Sequence, residues 1–236
     1  MPNGNAAVID RVVSATRALA VAGEQDMVWG HAAVRDPAGR GVWMKGAGWG
    51  FDEITPDRIQ LIGWGGELLS GAGKPHIESH IHLAVMRART DVNASVHTHS
   101  PSVNAFSSLE LPLRALSHDG VLFDEPQVPR SPLSGDLISD AERGSALAAA
   151  LGDHVACLMP RHGLVAVGAT EAHAVMHAVL LSSACRTMLT ALAAGEIRSW
   201  SDPAELAEKK AHVWPDSQIS AGYAYLVRRA ESQSLG

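Results

Sequence analysis

Two histidines separated by one residue, His97 and His99, give the strongest chemical signal in this sequence of 236 residues. Side chains of a β-strand alternate between its faces, so both imidazoles point the same way and can reach one metal ion. Such a pair alone is equally compatible with two ordinary surface histidines. Glu78, on the preceding predicted helix, and His162, in a turn between two predicted strands, extend the pattern. Three imidazoles and a carboxylate favour a catalytic metal site, because closed structural zinc sites prefer cysteine.

The elements that must position these residues alternate between helices and short strands. Apolar periodicity, glycine and proline positions and N-cap residues predict them. We expect helices at residues 6–22, 75–90, 139–152, 170–194, 201 onward and 223–229, and strands at 92–100, 154–159 and 164–167. The helix at 75 would hold Pro75 in its first turn, and Ser139 would open the capping box of the next one. The pattern predicts an α/β fold with helices packed on a central sheet, in one domain over residues 1–236.

Composition excludes several function classes. A formal charge of −6 argues against nucleic acid or an anionic membrane as the main partner, because both require clustered cations. No apolar run reaches the roughly 20 residues that cross a bilayer, and no signal-peptide pattern is visible. The two cysteines, Cys157 and Cys185, lie far apart in apolar surroundings, which favours buried thiols in a reducing cytoplasm. Histidine is the unusual residue type in the composition, with 12 residues against 2 tyrosines and 3 phenylalanines.

The same motifs carry a family resemblance. Residues 75–78 (PHIE), 88–101 (ARTDVNASVHTHSP) and 161–163 (RHG) resemble the class II aldolase/adducin family, and the similarity runs from the first helix to about Ala194. The resemblance implies a three-layer α/β/α domain around a central mixed sheet, and a homotetramer with active sites at subunit boundaries. It also implies a divalent metal, Zn²⁺ or Mn²⁺, on His97, His99 and His162, with Glu78 as a further ligand or as the catalytic acid/base.

Departures from the family pattern bear on the substrate. Where sugar-phosphate members of the family carry hydroxyl and amide donors for phosphate, this chain has His31, Lys45 and His76. These side chains, with Arg161 beside the third histidine, suit carboxylates and are predicted to bind the substrate. The catalytic tyrosine of the aldolases is also missing. Its region reads SHDG at residues 117–120, which makes His118 a candidate catalytic residue.

A metal site that lacks hydroxyl and amide donors for a phosphate group favours decarboxylation of a hydroxylated aromatic or heteroaromatic carboxylic acid. Among the family's decarboxylases, the pattern makes 3-hydroxy-2-methylpyridine-4,5-dicarboxylate a possible substrate. Trp29, Trp43 and Trp49 lie in the segment expected to shape the pocket, although tryptophan is more often a core or interface residue. Two alternatives stay open. One is an aldolase or epimerase that acts on a sugar or sugar acid, and the other is a non-catalytic, adducin-like interaction module.

Overall fold

A seven-stranded sheet forms the centre of the structure, a computed structural model that describes residues 3–233. The strands are β1 (His31–Arg35), β2 (Gly41–Lys45), β3 (Ile59–Gly63), β4 (Leu68–Ser70), β5 (Ala94–Thr98), β6 (Ala156–Met159) and β7 (Gly163–Gly168). Their order is β4-β3-β2-β1-β5-β7-β6, and each neighbouring pair is antiparallel. The expectation of a mixed sheet is therefore wrong. Hairpin connections link β1 to β2, β2 to β3 and β3 to β4, and another links β6 to β7. Strands that are joined in this way run in opposite directions.

Helices cover both faces of the sheet and complete a three-layer α/β/α fold, as predicted. The described residues form α1 (Asn3–Val21), α2 (Ser79–Ala88), α3 (Pro101–Ser107), α4 (Val121–Asp124), α5 (Ala141–Leu151), α6 (Glu171–Ala194), α7 (Pro203–His212) and α8 (Asp216–Gln233). Helices α1, α3, α6 and α8 pack in one layer, and α2 and α5 pack together in the other. Successive residues of β7 enter the two cores in turn, Leu164 on the first side and Val165 on the second.

Three predicted helix starts can be compared with the structure. Thr170 caps α6 by accepting a hydrogen bond from the backbone N–H of His173, as expected. Helix α5 is capped by Asp140 rather than by Ser139. Helix α2 begins at Ser79, so Pro75 lies outside it, in an irregular segment that runs along the functional site. The backbone turns at residues 76–79, where the Ser79 N–H donates to the carbonyl of His76.

Helix α6 is the one helix of residues 3–233 that is long and apolar enough to cross a membrane by length and composition. Most of its apolar residues are buried in this structure, including Val175, Leu181 and Cys185. They pack against the sheet and against α1 and α3. Helix α6 is thus the main core helix of its layer.

Candidate active site

Pairing between β5 and β7 brings the predicted metal ligands together. Thr98, the last residue of β5, lies opposite Leu164 near the start of β7. His99 directly follows β5 and His162 directly precedes β7, so the register places them side by side. The fourth residue, Glu78, reaches the same point from the N-cap position of α2. One ligand atom from each of Glu78, His97, His99 and His162 lies within 4.8 Å of the others.

Hydrogen bonds on the outer side of two imidazoles fix which nitrogen faces the cluster. His97 donates from Nδ1 to the carbonyl of Leu164 at 2.8 Å, and His99 donates from Nδ1 to Asp26 Oδ2 at 3.1 Å. Both acceptors hold the proton at Nδ1, so the lone pairs at Nε2 face inward. These two Nε2 atoms lie 3.0 Å apart, although neither has a proton to share. A cation between the two Nε2 atoms would accept both lone pairs and so remove the repulsion between them.

Glu78 and His162 complete the donor set. Glu78 Oε1 lies 3.2 Å from His162 Nε2, and Oε2 lies 3.7 Å from His97 Nε2. His162 Nδ1 is buried without a hydrogen-bond partner among the described residues, and Nε2 makes only the 3.2 Å contact with Glu78, which is costly for polar atoms unless a ligand takes them. Three imidazoles and a carboxylate with unused lone pairs therefore fit a divalent metal ion.

Charge states in the cluster suit metal ligation. Burial lowers the pKa of His97 well below its usual value, and burial with the neighbouring His162 lowers the pKa of His99. Burial by itself would raise the pKa of Glu78. The nearby His162 and His97 and a hydrogen bond from the Ile138 N–H outweigh it and lower that pKa to about 2. Neutral imidazoles and an ionised carboxylate are the forms that bind metals.

The cluster lies in the wall of a cavity of about 730 Å³. Cationic and polar groups and apolar side chains share the lining. Its side chains include Asp26, Trp29, Lys74, His76, Ile77, Glu78, His99, Asp136, Leu137, Arg161 and His162. Apolar surface is exposed at the mouth of the cavity. The exposed fraction is 47 % for Trp29, 56 % for Ile77 and 45 % for Leu137. Such a cavity can hold a flat, charged molecule beside a metal.

Comparison with known proteins supplies the family. Residues 10–189 match the model of the class II aldolase and adducin N-terminal domain. The chain belongs to the class II aldolase/adducin family. The structural match agrees: L-fuculose 1-phosphate aldolase from Glaciozyma antarctica PI12 superposes with a TM-score of 0.85 at 27% identity, over 99% of this chain and 93% of that one. The predicted family and the predicted three-layer α/β/α fold are confirmed.

Two relatives within the class II aldolase/adducin family are named as decarboxylases. The chain is 34% identical to Decarboxylase NovR from Streptomyces niveus over 176 residues, 73% of this chain and 65% of the relative. It is 27% identical to 3,4-dihydroxyphthalate decarboxylase from Arthrobacter keyseri over 208 residues, 82% of each chain. The alignment thus spans just under two thirds of NovR and most of the second relative.

The structure separates the predicted substrate-binding residues into two groups. His76 and Arg161 lie in the cavity wall, so they are placed to meet a substrate. Lys45 does not reach the cavity, and its predicted contact with substrate is wrong. It is fully buried, and its Nζ donates to the carbonyls of Val28 at 2.6 Å and Trp49 at 2.9 Å. Lys45 instead braces two backbone segments near the cavity.

His31 is also behind the wall rather than in it. It is fully buried, its Nδ1 lies 2.6 Å from His82 Nε2, and its ring centroid is 4.2 Å from that of His76. His82 in turn lies 2.9 Å from Ser95 Oγ through Nδ1. The predicted direct contact of His31 with a carboxylate is therefore corrected to support of His76 from behind. His82 belongs to this support.

The structure does not bring His118 into the cavity. It lies in a 3-10 turn, His118–Gly120, that packs against α6, and its carbonyl accepts a hydrogen bond from Trp214 Nε1. His118 does not line the cavity formed by one chain's described residues, and its catalytic role stays a prediction. His118 could reach such a cavity only from a neighbouring chain of the implied tetramer.

Sequence reasoning missed several cavity residues, among them the charged Asp26 and Lys74, and the structure places the predicted tryptophans in different environments. Asp26 and Lys74 lie in irregular segments without a motif, although Lys74 directly precedes the PHIE signature. Trp29 lines the cavity as expected, whereas Trp43 is a core residue bonded to Asp36. Proximity to a recognised motif was the one sequence signal for Lys74.

Proposed function

We propose that this chain is a divalent-metal-dependent decarboxylase of a hydroxylated aromatic or heteroaromatic carboxylic acid. The observation that carries the proposal is the wall of the cavity. That wall contains His76, Lys74, Arg161 and Trp29 together with Glu78, His99 and His162 of the ligand cluster. Cations and a hydrogen-bond donor suit carboxylates, and an aromatic wall suits a flat ring.

His76 is set up as a donor toward the substrate. Its Nδ1 accepts a hydrogen bond from the backbone N–H of Glu78 at 3.3 Å, so the proton of the neutral ring sits on Nε2. Burial and the nearby Lys45 lower the pKa of His76 to about 4, which keeps the ring neutral. Lys74 and Arg161 supply positive charge for the carboxylates. A divalent metal on His97, His99 and His162, when bound, supplies a Lewis acid that stabilises developing negative charge.

The chemistry requires one proton. When the bond to the carboxyl group breaks, CO₂ leaves and its electron pair stays on the ring carbon, which must then be protonated. His97 and His99 are poor proton donors, because their Nδ1 protons are held by Leu164 and Asp26. Glu78 is ionised and His76 is neutral, so neither carries a spare acidic proton near neutral pH. A water molecule hydrogen-bonded to Glu78 or His76 protonates the ring carbon, and the hydroxide that remains takes up a proton from solvent.

The two relatives named as decarboxylases support this proposal. 3,4-Dihydroxyphthalate, named for one relative, is a hydroxylated aromatic dicarboxylate of the proposed class. An aldolase or epimerase acting on a sugar or sugar acid is the second candidate, favoured by the likeness to L-fuculose 1-phosphate aldolase. The complete ligand cluster argues against a non-catalytic, adducin-like module. We further propose Zn²⁺ or Mn²⁺ as the metal, and a cytoplasmic homotetramer as the working form.

Release of CO₂ tests the proposal. The protein, loaded with Zn²⁺ or Mn²⁺, is incubated with 3-hydroxy-2-methylpyridine-4,5-dicarboxylate, with hydroxyphthalates and with a panel of sugar acids and sugar phosphates. We expect CO₂ from an aromatic dicarboxylate, and a loss of at least about 100-fold in the H97A variant, because a ligand is removed. The H212A variant, which changes an exposed histidine of α7, is the matched control. Aldehyde from a sugar substrate with no CO₂ would reject the decarboxylase in favour of the aldolase.

A further inference from the structure

His99, like His162, lies just outside the strands of the sheet. It lies one residue beyond β5, so its backbone is outside the ladder that holds His97. His97 is oriented by a backbone carbonyl, that of Leu164, which no side-chain substitution removes. His99 has no such carbonyl. Its Nδ1 instead bonds to a side chain, that of Asp26.

Residues 24–26 hold the end of β5 at two successive positions. Glu24 Oε2 accepts a hydrogen bond from Thr98 Oγ1 at 3.0 Å, and the same oxygen accepts one from Ser182 Oγ at 3.0 Å. Two residues later, Asp26 bonds to His99. The segment itself is fixed by the turn at Gly23, with φ of +82°, and by a β-bridge between Asp26 and Trp29. It therefore presents its two carboxylates to Thr98 and His99 in register.

From this geometry we infer that Asp26 is the positioning residue of the metal centre, holding His99 with its proton on Nδ1 and its Nε2 lone pair toward the metal. The inference rests on the metal site of the proposed function but not on decarboxylation. A carboxylate behind a metal-binding imidazole fixes the tautomer and the ring orientation, and raises the basicity of the ligand. Among residues 3–233, no other side chain is hydrogen-bonded to the Nδ1 of His97, His99 or His162.

Metal affinity tests the inference on the full-length protein. Co²⁺ is titrated into the wild type and into the D26A, D26N and D136A variants, and binding is followed by calorimetry and visible absorption. We expect D26A to weaken Co²⁺ binding by about 10–100-fold. D26N should lose less, because its amide oxygen still accepts from Nδ1. Asp136 lines the same cavity but pairs with Arg143 at 3.1 Å, so D136A controls for the loss of one negative charge.

A second readout does not depend on metal. In the metal-free protein, nitrogen-15 NMR of the imidazoles, assigned with the H99Q variant, reports the tautomer of His99. We expect the Nδ1–H form in the wild type and a shift toward the Nε2–H form in D26A, with unchanged melting temperature. Equal Co²⁺ affinities of D26A and D136A, or an Nε2–H tautomer in the wild type, would overturn the inference. Failure of the wild type to bind Co²⁺ would count against the proposed function. In that case the nitrogen-15 NMR spectrum of the metal-free protein would still decide whether Asp26 positions His99.

Discussion

Glu24 is a buried carboxyl group, and its protonation affects the stability of the whole fold. Burial raises its pKa from 4.5 to about 7, and the hydrogen bonds from Ser182 and Thr98 only partly oppose this. The folded state therefore binds a proton more tightly than the unfolded state does. The resulting stabilisation is fully present below the unfolded pKa, and it is lost as the pH rises through the folded pKa.

The E24Q variant tests this linkage, because glutamine keeps the shape and does not titrate. Between pH 4.5 and pH 8 we expect the wild type to lose on the order of 3 kcal/mol of unfolding free energy relative to E24Q. Urea unfolding at a series of pH values measures the difference, with a chelator in every sample. Parallel stability curves for the two proteins would show that Glu24 does not titrate in this range.

The metal cluster could be predicted from single residues, but the cavity wall could not. The spacing of His97 and His99 and the motifs around Glu78 and His162 indicated the ligands directly. Side-chain burial is set by distant chain segments, so Lys45 and His31 were predicted to contact a substrate although both are fully buried. Asp26 acquires its role only through folding, which brings the loop after α1 to the end of β5.

At the scale of elements, the close approach of β5 and β7 decides where the ligands meet. Gly163 begins β7, and a Cβ atom built there would lie 2.2 Å from the Thr98 carbonyl oxygen and 3.1 Å from His99 Cδ2. Only glycine allows the two strands to come this close, directly between His99 and His162. The RHG motif thus supplies a ligand and the space in which it sits.

The G163A variant should therefore damage both the fold and the metal site. We expect a loss of about 1–3 kcal/mol in unfolding free energy from overpacking, together with weaker Co²⁺ binding. G222A is the matched control, because the nearest atom there is the flexible end of the Met176 side chain. Urea unfolding and Co²⁺ titration measure the two effects. Equal stabilities of G163A and G222A would contradict the steric argument.

Most elements were predictable because their apolar period and caps are local. Helix α6 and the β6–β7 pair are found where the sequence placed them. The strand directions were not, since antiparallel pairing depends on which strands become neighbours. Residues 75–78 were assigned to a helix because Pro75 suits a first turn. Their actual conformation is set by the site, where the Glu78 carboxylate accepts from the Ile138 N–H.

At the scale of the whole molecule, the cavity mouth fits an assembly of several chains. Trp29, Ile77 and Leu137 expose apolar surface around it, and His118 lies outside the site of its own chain. We expect a homotetramer whose neighbouring subunits close the cavity, because exposed apolar patches around a site mark interaction surfaces. Light scattering coupled to gel filtration should give the mass of four chains. A monomer with full decarboxylase activity would contradict this prediction.

The four metal-site residues come from three stretches of chain that are far apart in sequence: Glu78 before α2, His97 and His99 at the end of β5, and His162 before β7. A cation held by all of them would act as a cross-link that closes two long loops of the polypeptide. Because it binds the folded state alone, it would add roughly 4 kcal/mol of stability at a free concentration about 1,000 times its Kd. Metal supply would then govern how long the folded protein survives, as well as how fast it works.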